Sequence, residues 1–193
     1  MERNELYPIF LKVSHLNVLI VGGGHVGLEK LTFLLKSSPN AQVQMVAKEF
    51  LKDTVELAQK HSVELVQAAY QKEYLEGKHL VIACTDNPKV NEEVYHDCRE
   101  RSILVNVADN PPFCDFYMGG IVTKGNVKVA ISTNGKSPTT AKRLRQFFED
   151  VIPDNIDDLV QNLNEYRQTL KGNFEEKVET LNEFTKGLIN KKD

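Results

Sequence analysis

What this chain has little of narrows it first. It carries only three cysteines, Cys84, Cys98 and Cys114, widely spaced and without a C-x-x-C pair. That pattern argues against a disulfide framework and against a structural zinc site. Each cysteine reads as a small buried apolar residue rather than a nucleophile, since none has an adjacent histidine or a clear helix-start setting. Such thiols suit the cytoplasm. The five histidines are scattered without metal-ligand spacing, so no metal site is expected. No apolar run approaches the roughly 20 residues of a membrane span, and the charged opening Met-Glu-Arg-Asn-Glu-Leu lacks an apolar signal region. A formal net charge of −3, with no helix-turn-helix pattern, gives no support to a nucleic-acid or anionic-membrane partner. Repeats and low-complexity segments are absent. What is left is an ordinary globular chain of 193 residues, 41% hydrophobic, with room for a dinucleotide domain and a smaller appendage.

The informative stretch runs from Asn17 to Gly27. A β-branched run, Val18 to Val21, ends in Gly22-x-Gly24-x-x-Gly27, and Leu28, Leu31, Leu34 and Leu35 follow at helical spacing. In a dinucleotide fingerprint the first glycine permits the tight strand-to-helix turn. The second lets backbone approach a pyrophosphate, and the third lets helix pack on strand. The helix start then offers unpaired N–H groups to the phosphates.

Strand and helix patterns alternate from there. Gln42 to Val46 reads as a second strand and Leu51 to His61 as a helix with Leu51, Val55 and Ala58 on one face. Val63 to Gln67 is a third strand, Leu80 to Cys84 a fourth, Val90 to Arg101 a helix and Ile103 to Val107 a fifth strand. Apolar strands alternating with helices imply a parallel sheet covered on both faces. The rhythm breaks near Asp109, because Asn110-Pro111-Pro112 cannot continue a central strand. Gly119 to Thr133 then predicts a hairpin turning at Lys124-Gly125-Asn126. Ser137 and Pro138 read as N-cap and first residue of a helix whose apolar face holds Ala141, Leu144, Phe147 and Phe148. Beyond Pro153, two amphipathic helices meet near Gly172, the second with a stripe reaching Leu188. The last residues are expected to fray.

In open α/β sheets ligands collect beyond the carboxyl ends of the strands, where strand order reverses. The glycine loop, Thr85-Asp86-Asn87-Pro88 and Asn106-Val107-Ala108-Asp109 should all arrive there. Asp109 suits a proton acceptor or electrostatic partner in hydride transfer; equally, it suits the start of an Asx turn. After the second strand, Glu49 could hold a ribose 2′-hydroxyl and Lys48 could tolerate a 2′-phosphate, which leaves NAD and NADP both open. Lys142, Arg143 and Arg145 place cations on a helix whose start attracts anions, either to receive substrate carboxylates or as a solvated basic face.

The order of these motifs resembles one family, the precorrin-2 dehydrogenases, the unit that forms the front half of sirohaem synthases. The matching pieces are Tyr7 to Leu11, Val21 to Lys30, Ala83 to Asp86, Val105 to Asp109, Cys114-Asp115-Phe116 and Ile131 to Pro138. The resemblance covers nearly the whole chain. It implies a Rossmann-type NAD-binding domain over residues 1–113, a central hairpin-and-helix dimerisation module over 114–150 and a small C-terminal helical domain over 151–193. It also implies a homodimer oxidising precorrin-2 to sirohydrochlorin, with NAD taking the hydride.

By the same resemblance Asp109 is the catalytic aspartate, and cofactor contacts fall on Gly22, Gly24, His25, Val26, Gly27, Lys48, Glu49 and Thr85. The tetrapyrrole contacts fall on Asn106, Thr133 and Ser137, beside Lys142 and Arg143. Two positions depart from the pattern: the third fingerprint residue, often alanine in relatives, is Gly27, and a position that some fill with serine is Thr133. No methyltransferase domain follows, so a stand-alone dehydrogenase is expected. Two other readings stay open: a bifunctional dehydrogenase and ferrochelatase, and a non-catalytic NAD-sensing module.

Overall fold

The computed structural model describes residues 4–186. Its main sheet is built from β1 (Asn17–Val21), β2 (Gln42–Ala47), β3 (Glu64–Gln67), β4 (Leu80–Ala83) and β5 (Leu104–Val107), all parallel, in the order β3-β2-β1-β4-β5. Sequence order reverses between β1 and β4, so the crevice of this Rossmann-type α/β sheet opens at their carboxyl ends.

Alternation along each strand feeds two separate cores. One face sends Val18, Ile20, Met45 and Ile82 against Leu31 and Leu35 of α1 (His25–Ser37) and Ala58 of α2 (Lys52–His61). The other sends Leu19, Val21, Val81 and Val105 against Val94 and Cys98 of α3 (Pro88–Glu100). Each such aliphatic side chain contributes about 1.5–3 kcal/mol by leaving water, which keeps the sheet, and hence the crevice, rigid.

Three details differ from expectation. α2 begins one residue later, with Leu51 as its N-cap, and its buried positions are Thr54 and Ala58 rather than Leu51, Val55 and Ala58. The buried Thr54 hydroxyl has no hydrogen-bond partner among the described residues. α3 begins two residues earlier, at Pro88, because the Asn87 side chain caps it by accepting from the Lys89 N–H. β3 is not apolar throughout, since as an edge strand it is covered only in part.

The chain divides into two compact units where the sequence suggested three segments. The sheet unit runs to Gly119 and takes in Ser132–Lys136, while the hairpin, Gly120–Ile131, belongs with the chain from Ser137 onward. In the second unit β6 (Gly120–Lys124) pairs antiparallel with β7 (Val127–Ile131) through the two-residue turn Gly125-Asn126. Gly125 has φ +54°, and a side-chain carbon there would fall 2.1 Å from the Asp157 carboxyl carbon, so glycine is required.

α4 (Pro138–Val151) starts as the sequence predicts, with Ser137 accepting from the Thr140 N–H at 3.2 Å and Pro138 in the first turn. α5 (Ile156–Thr169) is tied to the hairpin through charge: Asp157 accepts from the Asn126 backbone N–H at 2.6 Å and its side-chain amide at 2.8 Å, and Asp154 pairs with Lys124. α6 (Phe174–Thr185) opens on a capping box of Asn173 and Glu176. Leu188 and the frayed end expected after it lie outside the described residues. No helix among those described is long and apolar enough to cross a membrane.

Candidate functional site

The glycines of the fingerprint have separable jobs. Gly22 has φ +131°, and a side-chain carbon there would sit 2.6 Å from the Cys84 carbonyl oxygen. Both backbone and space therefore demand glycine where β1 meets the end of β4. At Gly27 the added carbon would fall 2.3 Å from the Gly22 carbonyl oxygen, which means that α1 rests directly on the turn. Alanine here would displace main chain. Gly24 is the opposite case. It is exposed, nothing lies within 4 Å of a carbon placed on it, and as N-cap of α1 it offers no side-chain acceptor. The first N–H groups of α1, behind exposed His25 and Val26, are thus left without a side-chain cap at an open surface. Such a cradle fits a phosphate group.

The loop after β2 closes on the same turn. Leu51 N–H donates to the Gly23 carbonyl at 3.2 Å, and a carbon on Gly23 would fall 2.1 Å from the Glu49 carbonyl oxygen. Lys48 and Glu49 stand there exposed, and neither forms an ion pair among the described residues.

After β4, the Cys84 N–H donates to the Val21 carbonyl at 2.8 Å, carrying Thr85 to the glycine loop's side. The Thr85 hydroxyl is engaged internally: it donates to Asn91 Oδ1 at 2.7 Å, while Asn91 Oδ1 also takes the Thr85 N–H at 3.0 Å and Asn91 Nδ2 donates to the Thr85 carbonyl at 3.0 Å. Asn91, buried on α3, is a residue the sequence reading passed over. Its only signal was a polar residue at helical spacing between Asn87 and Val94.

Beyond β5, the Ala108 N–H donates to the Ala83 carbonyl at 2.9 Å, and the Asn110 N–H to the Val107 carbonyl at 3.2 Å. Asp109 occupies the third position of that turn with φ +57°, exposed, and its carboxylate makes no hydrogen bond or ion pair among the described residues. The turn is closed by backbone, without the Asx bond that the structural reading of Asp109 required. Asn106 is buried and its amide donates to the Phe116 carbonyl at 2.8 Å, so it faces inward. Asp115 accepts from the Val105 N–H at 3.0 Å and from Arg99 at 2.9 Å, and its own N–H donates to the Val105 carbonyl at 2.8 Å.

The sheet unit therefore gathers Gly22, Gly24, His25, Val26, Gly27, Lys48, Glu49, Thr85, Asn106 and Asp109 at one carboxyl edge. Thr133 belongs to the same unit, where its carbonyl accepts from the Lys136 N–H at 3.1 Å. Ser137, Lys142 and Arg143 belong to the second unit. There Ser137 caps α4, Lys142 is exposed, and exposed Arg143 donates to Gln146 at 3.0 Å.

Burial pushes the Cys84 thiol up to about 12, and burial together with Asp97 and Asp115 does the same for Cys98; Cys114 is also raised, chiefly by burial. None is poised as a thiolate nucleophile. Among the described residues, no three His, Cys, Asp or Glu side chains are placed to hold a metal.

Residues 9–120 match a family model described as "Putative NAD(P)-binding". The chain belongs to this NAD(P)-binding family. Residues 124–150 match a second model, the sirohaem biosynthesis protein central region. Curated relatives include sirohaem synthases of Pseudoalteromonas translucida, 37% identical over 86% of this chain and 35% of theirs, and of Nitrosococcus oceani, 38% identical over 85% of this chain and 35% of theirs. The chain thus spans about a third of the length of the relatives it matches. Among solved structures, SirC, a precorrin-2 dehydrogenase, superposes with a TM-score of 0.71 over 96% of this chain and 90% of that one, at 23% identity. That likeness extends the shared fold through the hairpin and the helices after it.

Proposed function

We propose that this chain is an NAD-dependent precorrin-2 dehydrogenase acting in sirohaem biosynthesis. The observation that carries the reading is the meeting of three segments at the β1/β4 switch point: an open, side-chain-free helix start at Gly24, the Thr85 loop, and the Asp109 carboxylate, which has no partner among the described residues. Support comes from the match of an NAD(P)-binding model and a sirohaem-biosynthesis model in that order along one chain.

NAD, when bound, supplies the hydride acceptor. The chain's own groups do the rest. Backbone N–H groups at the start of α1 receive the pyrophosphate, and the Lys48–Glu49 loop stands where the adenosine ribose would lie. Glu49 favours a free 2′-hydroxyl. The Thr85 backbone, held by Asn91, would line the wall beside the nicotinamide. Asp109 takes or orients the proton lost as the hydride leaves.

Lys142 and Arg143, on a helix start that attracts anions, supply counter-charge for a polycarboxylate tetrapyrrole. Asn106 is then a support for the Asp109 turn rather than a contact to substrate. Ser137, as helix cap, orients backbone N–H groups. The direct test is to incubate the protein with enzymatically generated precorrin-2 and NAD and follow absorbance. Formation of NADH and sirohydrochlorin in equal amounts is expected; NAD binding without turnover would leave a sensing module instead.

The second unit points to a homodimer. Among its described residues only Val122 and Ile131 are buried hydrophobics, while Leu144, Phe147 and Val151 of α4 are exposed. A two-stranded hairpin is marginal without a further apolar face, and a second copy of the same module would cover these side chains. Light scattering at micromolar concentration should give about twice the 21.9 kDa chain mass; a monomer would contradict this. A cytoplasmic setting suits the three unpaired cysteines.

A further inference from the structure

Asp109 is the one candidate catalytic group, and its backbone sits where non-glycine residues are uncommon. Something must hold it there. Its own carboxylate does not, so the restraint comes from the neighbours of the turn. Cys114 lies beneath it, with Sγ 3.2 Å from the Val107 carbonyl oxygen and 3.3 Å from that of Asn110, the residues at the two ends of the turn. The single thiol proton is shared between these acceptors. Asn106 completes the link: its Nδ2 donates to the Phe116 carbonyl at 2.8 Å and contacts Cys114 Sγ at 3.4 Å. Strand β5, the segment 114–116 and both ends of the turn are thereby joined by the side chains of Asn106 and Cys114.

We propose that Cys114, seated by Asn106, is a positioning residue that clamps the Val107–Asn110 turn and so aims the Asp109 carboxylate. The proposal rests on the catalytic reading of Asp109. It explains why a thiol stands here: sulfur is large enough to reach two carbonyls at more than 3 Å and remains a neutral donor, since burial disfavours its ionised form. The clamp is not what closes the turn. The Val107 carbonyl keeps the Asn110 N–H, and the Asn110 carbonyl keeps the Phe113 N–H at 3.0 Å, when the thiol is removed. Loss of the thiol should loosen the carboxylate without leaving a buried carbonyl unpaired. Small misplacement of a reacting group is costly, on the order of 10²-fold for about 1 Å.

The test is a double-mutant cycle in the full-length protein with precorrin-2 and NAD. Cys114→Val keeps shape and removes the donor; Cys114→Ser keeps a shorter donor and serves if the valine variant folds poorly. Expected are a fall in kcat of about 10- to 100-fold for Cys114→Val, an NAD dissociation constant within about twofold of the parent, and partial recovery in Cys114→Ser. Combined with Asp109→Asn, the valine change should cost nothing further, because a positioning residue has no effect once the group it positions is gone. Parent-like kcat in Cys114→Val, or an equal loss in the Asp109→Asn background, overturns the clamp while leaving Asp109 catalytic. Parent-like kcat in Asp109→Asn alone overturns the catalytic reading and the clamp with it.

Discussion

Asp109→Asn should bind NAD as the parent does and form sirohydrochlorin about 10²–10⁴-fold more slowly, the usual cost of removing one well-placed acid–base group. The substitution isolates charge from conformation. Asparagine visits the left-handed region as readily as aspartate, so φ +57° is retained, and the bond closing the turn runs between the backbones of Asn110 and Val107. The carboxylate has no partner among the described residues, so its neutralisation strands no cation. Stability should therefore hardly change, and the loss should appear in kcat with stopped-flow or steady-state absorbance as the readout. Parent-like turnover would return Asp109 to a purely conformational role.

Gly24→Asp should fold normally and lose NAD binding, by about 100-fold or more in dissociation constant. Nothing lies within 4 Å of the new side chain's first carbon, and aspartate is a better helix N-cap than glycine, so the melting temperature should hold or rise. The same carboxylate would accept from the N–H groups that the pyrophosphate would use, and would set like charge against it, a penalty of several kcal/mol. Unchanged affinity by calorimetry would sink the placement of the phosphates at this helix start. Gly22 and Gly27 cannot serve for this test. Carbons there would press on main chain at 2.6 and 2.3 Å, so their variants would report on folding.

Much of the sheet was legible because its signals are local. The β-branched run before Gly22, the apolar Leu80 to Ala83, and the Ser137-Pro138 helix start each declare themselves within a few residues. The hairpin turn at Gly125-Asn126 did so as well. What stayed hidden was set by distance along the chain. Thr54 shares the buried face of α2 with Ala58, four residues on, and a lone threonine among polar neighbours does not announce that face. Asn91 looks like any polar helix residue until β4 delivers Thr85 to it. Asn106 reads as a functional polar group at a strand end, and its amide contact to the Phe116 carbonyl, ten residues on in sequence, could not be read from the strand alone. Cys114 reads as apolar filler in the sequence, and only the fold brings its Sγ to the Val107 and Asn110 carbonyls.

The aspartate next to that cysteine has a consequence for the sheet as a whole. β5 is an edge, and an exposed parallel edge invites a further strand, from this chain or from another. Asp115 answers both backbone groups of Val105, one with its own N–H and the other with its carboxylate, as a neighbouring strand would. A single residue thus stands in for a sixth strand, and Arg99 holds its remaining oxygen. The sheet is capped at five strands at that position, the margin is guarded against edge-to-edge aggregation by a charged side chain, and the polypeptide is released to build a second unit.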